Sequence, residues 1–166
     1  MSSIFTAGFG IALLLVSIVM FISVWNTYVV SFSQEMKSLA EYINYISRAN
    51  LDIYNVTING TSIDFYLENS GEVDVLVDNT SIIIVDYFYN GSEYIDLLVY
   101  GSDWFIDTIA TGSVVEVVRP GEIVYLEPSS VAHVLLTLSY QPDPNTTLRI
   151  VFCNGVGVRT SYVGQA

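Results

Sequence analysis

The sequence predicts a mainly β protein: an N-terminal membrane-spanning α-helix, a helical stalk, and then an immunoglobulin-like antiparallel β-sandwich. Three observations predict it: an uncharged, apolar stretch ahead of Gln34, an apolar stripe at helical spacing up to Ile46, and a switch to period-two alternation after Asn50. Read in that order, residues 1–30 form the transmembrane helix, residues 31–50 the stalk and residues 51–166 an extracytoplasmic β domain.

Ile4 to Val24 is almost wholly apolar apart from Ser17, Ser23 and two glycines. Crossing a hydrocarbon core takes about 20 such residues at about 1.5 Å each. A cleaved signal peptide would instead show a basic n-region, an apolar run of about 7 to 15 residues and a small-residue cut site. No Lys or Arg precedes this run, and Val24-Trp25-Asn26 offers no such cut, so the span is expected to be retained. Trp25 and Tyr28 fall where an aromatic belt meets the headgroups.

From Tyr28 to Arg48, polar residues separate Tyr28, Phe32, Met36, Leu39, Ile43 and Ile46. Steps of four and three place these six on one helical stripe, which either docks on the chain's own domain or forms a seam with a partner helix. It is too short to count as a coiled coil. As a helix, this segment would lift the following domain by roughly 30 Å.

Beyond Asn50, Tyr54, Val56 and Ile58 alternate with Ile53, Asn55 and Thr57, while Ile63, Phe65 and Leu67 alternate with Asp64, Tyr66 and Glu68. Asn59-Gly60 between them is a hairpin signal. Further strands are expected at Val73–Val77, Ile82–Tyr89, Tyr94–Val99, Val114–Val118, Ile123–Leu126, Val131–Tyr140, Leu148–Cys153 and Val156–Ser161, separated by Asn-, Gly- and Pro-rich turns. Asp96–Gly112 has mixed periodicity.

The composition narrows the function. Of 166 residues, 52% are apolar and only 13% charged, with five Lys+Arg against seventeen Asp+Glu for a net charge of −12. So acidic a chain has no basic surface for phosphates, which excludes nucleic acid as a partner. One Cys and one His allow neither an internal disulfide nor a His/Cys zinc site, and no cofactor or metal is expected. His133 shares a strand face with Val131 and Leu135 and reads as structural, without a partner for general-base work. Cys153 reads as a packing residue, Asp74/Asp78 and Asp103/Asp107 lack the spacing of a calcium loop, and Gly155-Val156-Gly157 is a turn and not a phosphate cradle. The chain is therefore not expected to be an enzyme. Trp104 and Phe105 fit either core or an exposed anchor at an interface, and the aromatic edge Tyr87, Phe88 and Tyr89 is where a second head would pair to form a homodimer.

Sequons set the orientation. Asn55, Asn59, Asn79, Asn90 and Asn145 each begin an N-x-[ST] triplet, all after the span. With ten Asn and twenty-nine Ser plus Thr, chance alone gives about two, so the domain is expected to be exported and glycosylated.

The span and stalk are followed by Phe65-Tyr-Leu-Glu-Asn69-Ser-Gly71, Val73-Asp-Val-Leu-Val-Asp78-Asn79, Ile82-Ile-Ile-Val85, Pro120-Gly-Glu122 and Leu148-Arg-Ile-Val-Phe-Cys-Asn-Gly155-Val156. In this order the chain resembles the archaellum accessory F proteins (FlaF-type) over nearly its whole length. The resemblance implies a membrane-anchored stator of the archaeal flagellum, its sandwich between cell membrane and surface layer, binding the surface-layer protein and a sister accessory G protein. Tyr87–Gly112 is longer than the family form, so the resemblance does not separate the F from the G protein. An archaellin or type IV pilin-like filament subunit has the same helix-then-sandwich order. That alternative requires cleavage behind a basic residue and Gly, and no Lys or Arg precedes Gly8 or Gly10.

Overall fold

A computed structural model of the chain describes residues 2–166, with side chains from residue 8 onward. Met1 and the side chains of residues 2–7, where the predicted span begins, lie outside the described residues. The chain separates into two compact units, the first ending at Asn44 and the second comprising Tyr45–Ala166.

Helix α1 covers Ser2–Arg48, as the unbroken helical spacing predicts. Every side chain from Gly8 to Asn44 is exposed, including Phe9, Leu14, Phe21 and Trp25. The helix is long and apolar enough to cross a membrane. Its hydroxyls fit that solvent, because Ser17 Oγ donates to the Leu13 carbonyl at 2.9 Å and Thr27 Oγ1 to the Ser23 carbonyl at 3.0 Å. Neither hydroxyl would be left unpaired in hydrocarbon.

The second unit begins with the last turn of α1 and continues as β1 (Leu51–Asn59), β2 (Ser62–Asn69), β3 (Val75–Val77), β4 (Ile82–Tyr89), β5 (Ser92–Val99), β6 (Trp104–Thr111), β7 (Val114–Val117), β8 (Val124–Leu126), β9 (Ser130–Thr137), β10 (Thr147–Cys153) and β11 (Arg159–Gln165). These form a five-stranded sheet in the order β1-β2-β9-β6-β7, a four-stranded sheet in the order β11-β10-β4-β5, and the pair β3-β8. The pairings within these sheets are antiparallel. The inward residues of both larger sheets, among them Phe65, Ile83, Tyr87, Trp104, Val134 and Phe152, make one core.

Two bulges explain where simple alternation misleads. In β1 the register shifts between Tyr54 and Thr57, with Asn55 at φ 51°. The extra residue turns Ile53, Val56 and Ile58 together onto the core and leaves Tyr54 on the opposite face, contrary to the predicted grouping of Tyr54, Val56 and Ile58. In β6 the shift lies between Ile106 and Thr108, which gives this stretch its mixed period. The last strand also differs, occupying Arg159–Gln165 and not Val156–Ser161. The preceding turn is long because buried Asn154 organises it: its Oδ1 accepts from Val156 N and Val158 N, and its Nδ2 donates to the Leu76 carbonyl.

The turn after β2 grips the chain leading into β1. Glu72 N donates to the Arg48 carbonyl at 2.9 Å, Gly71 N to the Asn50 carbonyl at 3.1 Å, and Tyr45 Oη to the Asp74 carbonyl at 3.0 Å. A Cβ on Gly71 would lie 2.5 Å from Asn50 N and 2.6 Å from the Arg48 oxygen, both backbone atoms that cannot swing aside. Gly71→Ala is therefore expected to cost about 1–3 kcal/mol. Hydrogen exchange should show lost protection at the amides of residues 71 and 72, with β9 unchanged; full protection there would refute the close approach.

Two core tyrosines make the fold alkali-sensitive. Tyr87 is buried and donates to Asp96 Oδ2 at 2.9 Å, and burial together with that carboxylate pushes its pKa up to about 12. Burial, with Glu122 nearby, pushes Tyr100 up to about 12 as well. In the unfolded chain these phenols ionise near pH 10 and in the folded chain only near pH 12, so the unfolded state loses protons first. Stability should be intact below pH ~10 and fall through pH ~10–12 by up to about 1.4 kcal/mol per pH unit for each ring. Because ten other tyrosines share the tyrosinate absorbance, the check is Tyr87→Phe and Tyr100→Phe, each of which should flatten the loss of stability between pH ~10 and ~12 in denaturant titrations; unchanged slopes would contradict this.

Candidate interaction surfaces

The outer face of the four-stranded sheet is built from strands that are apolar on both sides. In β4, Ile83, Val85 and Tyr87 point into the core, leaving Ile82, Ile84, Asp86 and Phe88 outward and half-buried. Register then assembles three cross-strand rows: Val99-Ile82-Cys153-Arg159, Leu97-Ile84-Val151-Ser161 and Ile95-Asp86-Arg149-Val163. Ile95, Leu97 and Val163 are 66%, 60% and 64% exposed, so this face meets solvent. Four strands about 4.8 Å apart and three rows about 7 Å apart make a grid of roughly 400 Å², in which Asp86, Arg149, Arg159 and Ser161 interrupt the apolar residues. Its apolar part is comparable to the largest patch on an ordinary monomer, a patch that is often functional. The signal was present in the runs Ile82-Ile-Ile-Val85 and Leu97-Leu98-Val99, which break the alternation expected of a half-wet strand.

The aromatic candidates divide. Trp104 is wholly buried, the core alternative of the two that its sequence left open, and Tyr87 is wholly buried too, so neither ring is presented at an exposed edge. Tyr89 packs against the core and stacks on Tyr140 with centroids 4.6 Å apart. Phe88 lies on the outward patch beside Glu93, and half-buried Phe105 sits on the other sheet opposite Leu135.

On the outer face of the five-stranded sheet, one row carries Tyr54, Tyr66, His133, Thr108 and Val117. Tyr54 stacks on Tyr66 and Tyr66 on His133. His133 Nε2 lies 3.7 Å from Asp64 Oδ2, and Nδ1 lies 3.6 Å from Asp107 Oδ2, the bulge residue of β6. These separations exceed hydrogen-bond length and act as ion pairs only with a protonated ring. The set contains no serine or cysteine nucleophile. Among the described residues, no group of three His, Cys, Asp or Glu could hold a metal. Cys153 is half-buried, its Sγ 3.4 Å from the Asn154 carbonyl.

All five sequon asparagines are exposed. Asn55, Asn90 and Asn145 have φ of 51°, 51° and 61°, a left-handed conformation that Asn tolerates better than most residues. Turn and bulge geometry therefore accounts for three of these asparagines being where they are. On α1, Tyr28, Phe32, Met36, Leu39 and Ile43 are about half or more exposed, while Ile46 is half-buried within the second unit.

No protein-family model matches the sequence, and comparison with curated proteins finds no match. Solved structures do match. The archaellum periplasmic stator protein complex FlaF and FlaG from Sulfolobus acidocaldarius aligns at TM-score 0.50 and 20% identity, over 69% of this chain and 87% of that one. The archaeal flagellum of Methanospirillum hungatei strain JF1 aligns at TM-score 0.50 and 12% identity, over 94% of this chain and 91% of that one. The archaellum periplasmic stator protein FlaG from Sulfolobus acidocaldarius aligns at TM-score 0.47 and 20% identity, over 70% and 99%. At these identities the likeness is one of fold: an antiparallel β-sandwich of the kind found in the archaellum stator complex, and over 94% of the chain a likeness to the archaeal flagellum structure.

Proposed function

We propose that the chain is a membrane-anchored, non-catalytic stator component of the archaellum. In this reading residues 1–30 lie in the bilayer, residues 31–50 act as spacer, and residues 51–166 stand outside the membrane beneath the surface layer. The β-sandwich binds the surface-layer protein and a sister accessory G protein. The observation that carries the reading is the largely apolar outer face of the four-stranded sheet, joined in one chain to a helix apolar enough to anchor it. A stator must resist torque, which requires anchorage at one end and a stiff body presenting area at the other. The fold shared with the FlaF and FlaG complex supports this, and we assign the sheet face to the G protein because it is the exposed, largely apolar face of the sandwich. The exposed sequons suit glycosylation in an exported domain.

The full chain in nanodiscs should capture the accessory G protein and the surface-layer protein. Ile95→Lys with Leu97→Lys should weaken capture of the G protein by tenfold or more while leaving the circular dichroism unchanged, since both side chains are exposed. Unaltered capture by that variant would remove the sheet face from the proposal.

A second reading, a filament subunit, draws on the match to the Methanospirillum hungatei flagellum, which extends over 94% of the chain and so includes α1. Mass spectrometry of the mature N-terminus separates the two. A terminus near Met1 supports the stator, and a cut beside Gly8 supports the filament.

A further inference from the structure

A groove of about 430 Å³ opens at the end of the five-stranded sheet, between β7 and β8. Its apolar lining includes Ile109 of β6, Val114 of β7, Tyr125 of β8 and Ile123 just ahead of β8, and its charges are Glu116, Glu122 and Glu127; no lysine or arginine lines it. Strand β7 is the last in its sheet, and all four of its residues are exposed. Val118 N donates to the Asp107 carbonyl, which directs the backbone of residues 118, 116 and 114 toward β6. Alternation then aims the N–H and C=O of Val115 and Val117 at the open edge. The turn ahead of β8 is held in place: Tyr100 Oη donates to the Glu122 carbonyl at 2.8 Å, and Glu122 Oε2 accepts from Arg119 N. Val114, Val117, Ile123 and Tyr125 are 62–75% exposed, so an apolar lining lies beside an unpaired strand edge.

We infer that this groove receives an extended segment of a partner protein that alternates apolar and basic residues, added as a strand to β7. Main-chain bonds to Val115 and Val117 would supply affinity, and pockets for alternate side chains would supply selectivity. The three glutamates select the charge: an acidic or neutral strand would bury them without a partner, while lysine or arginine at alternate positions neutralises them at the rim. The inference stands apart from the stator reading, because it depends only on the geometry of β7 and β8.

The test is anisotropy of a short labelled peptide of alternating valine and lysine, titrated with the full chain in phosphatidylcholine nanodiscs, with an alternating valine and glutamate peptide as control. The basic peptide should bind saturably, the acidic one at least tenfold more weakly, and added salt should reduce the difference. Val117→Pro deletes an edge donor and should weaken binding about tenfold. Glu116→Lys with Glu127→Lys, at exposed positions tolerant of substitution, should do the same without affecting the fold. No saturable binding, or binding that both variants leave intact, overturns the proposal. Self-association of the wild-type chain that the same variants abolish would assign the groove to a second copy and also overturn it.

Discussion

Trp104→Ala is expected to lower folding stability by about 3–5 kcal/mol, the range for deleting a fully buried aromatic side chain. The indole is wholly buried, with its centroid 4.7 Å from Tyr100 and 5.9 Å from Phe152 in an edge-to-face arrangement. It stands on β6 and Phe152 on β10, so the ring fills the space between the two larger sheets. Backbone packing on both sides limits how far the void can collapse. Its Nε1 is buried with no hydrogen-bond partner, a group whose desolvation opposes folding. Trp104→Phe therefore removes a liability along with some area and should cost much less than the alanine change. Denaturant titration of the full chain in micelles, followed by circular dichroism, distinguishes the two variants. An alanine variant as stable as wild type but deficient in assembly would restore the reading of Trp104 as an exposed anchor.

Asn69→Ala should cost about 2–4 kcal/mol, and Asn69→Leu no less, although leucine fills similar space. Asn69 is fully buried at the end of β2. Its Nδ2 donates to the Val73 carbonyl at 2.9 Å and the Leu126 carbonyl at 2.7 Å, and its Oδ1 accepts from Gly71 N at 3.0 Å. One side chain thus satisfies three backbone groups, on the β2–β3 turn and on β8. Removing it leaves the buried Leu126 carbonyl and the part-buried Val73 carbonyl without this donor, at about 1–3 kcal/mol each before relaxation, while Gly71 N keeps its bond to the Asn50 carbonyl. Asn69→Asp offers no donor to the two carbonyls and should also destabilise. Equal denaturation midpoints for Asn69→Leu and wild type would mean that water replaces the amide.

Much of the fold could be read along the chain because two periodicities are local properties. The uncharged, mostly apolar residues ahead of Gln34 and the stripe to Ile46 specify a helix through Arg48, and Ile63, Phe65 and Leu67 alternate as a half-buried strand must. Asn59-Gly60 closes the β1–β2 hairpin and Asn90-Gly91 the β4–β5 hairpin. Alternation failed at Asn55 and Asp107, where a bulge inserts one residue and reverses the face of all that follows. It gave no warning that Tyr87 is buried and left Trp104 open between core and anchor, since an aromatic side chain carries no mark of whether its strand face is covered. The docking groove was invisible for a related reason: its residues come from β6, β7 and β8, and only the edge position of β7 leaves backbone groups open.

Local chemistry alone determined that this chain has an apolar helix able to lie in lipid, a β body rich in asparagine turns, an acidic balance, and too few His and Cys for a His/Cys zinc site or an internal disulfide. Tertiary structure decided which side of each strand is sheltered. It set Ile82, Ile84, Leu97 and Val151 side by side on an uncovered sheet face, and placed Glu116 and Tyr125 in the lining of one groove. The physical reason is that exposure belongs to pairs of surfaces. A residue's own polarity fixes what contact it prefers, but whether a second layer arrives to provide that contact depends on strand order and register over the whole domain.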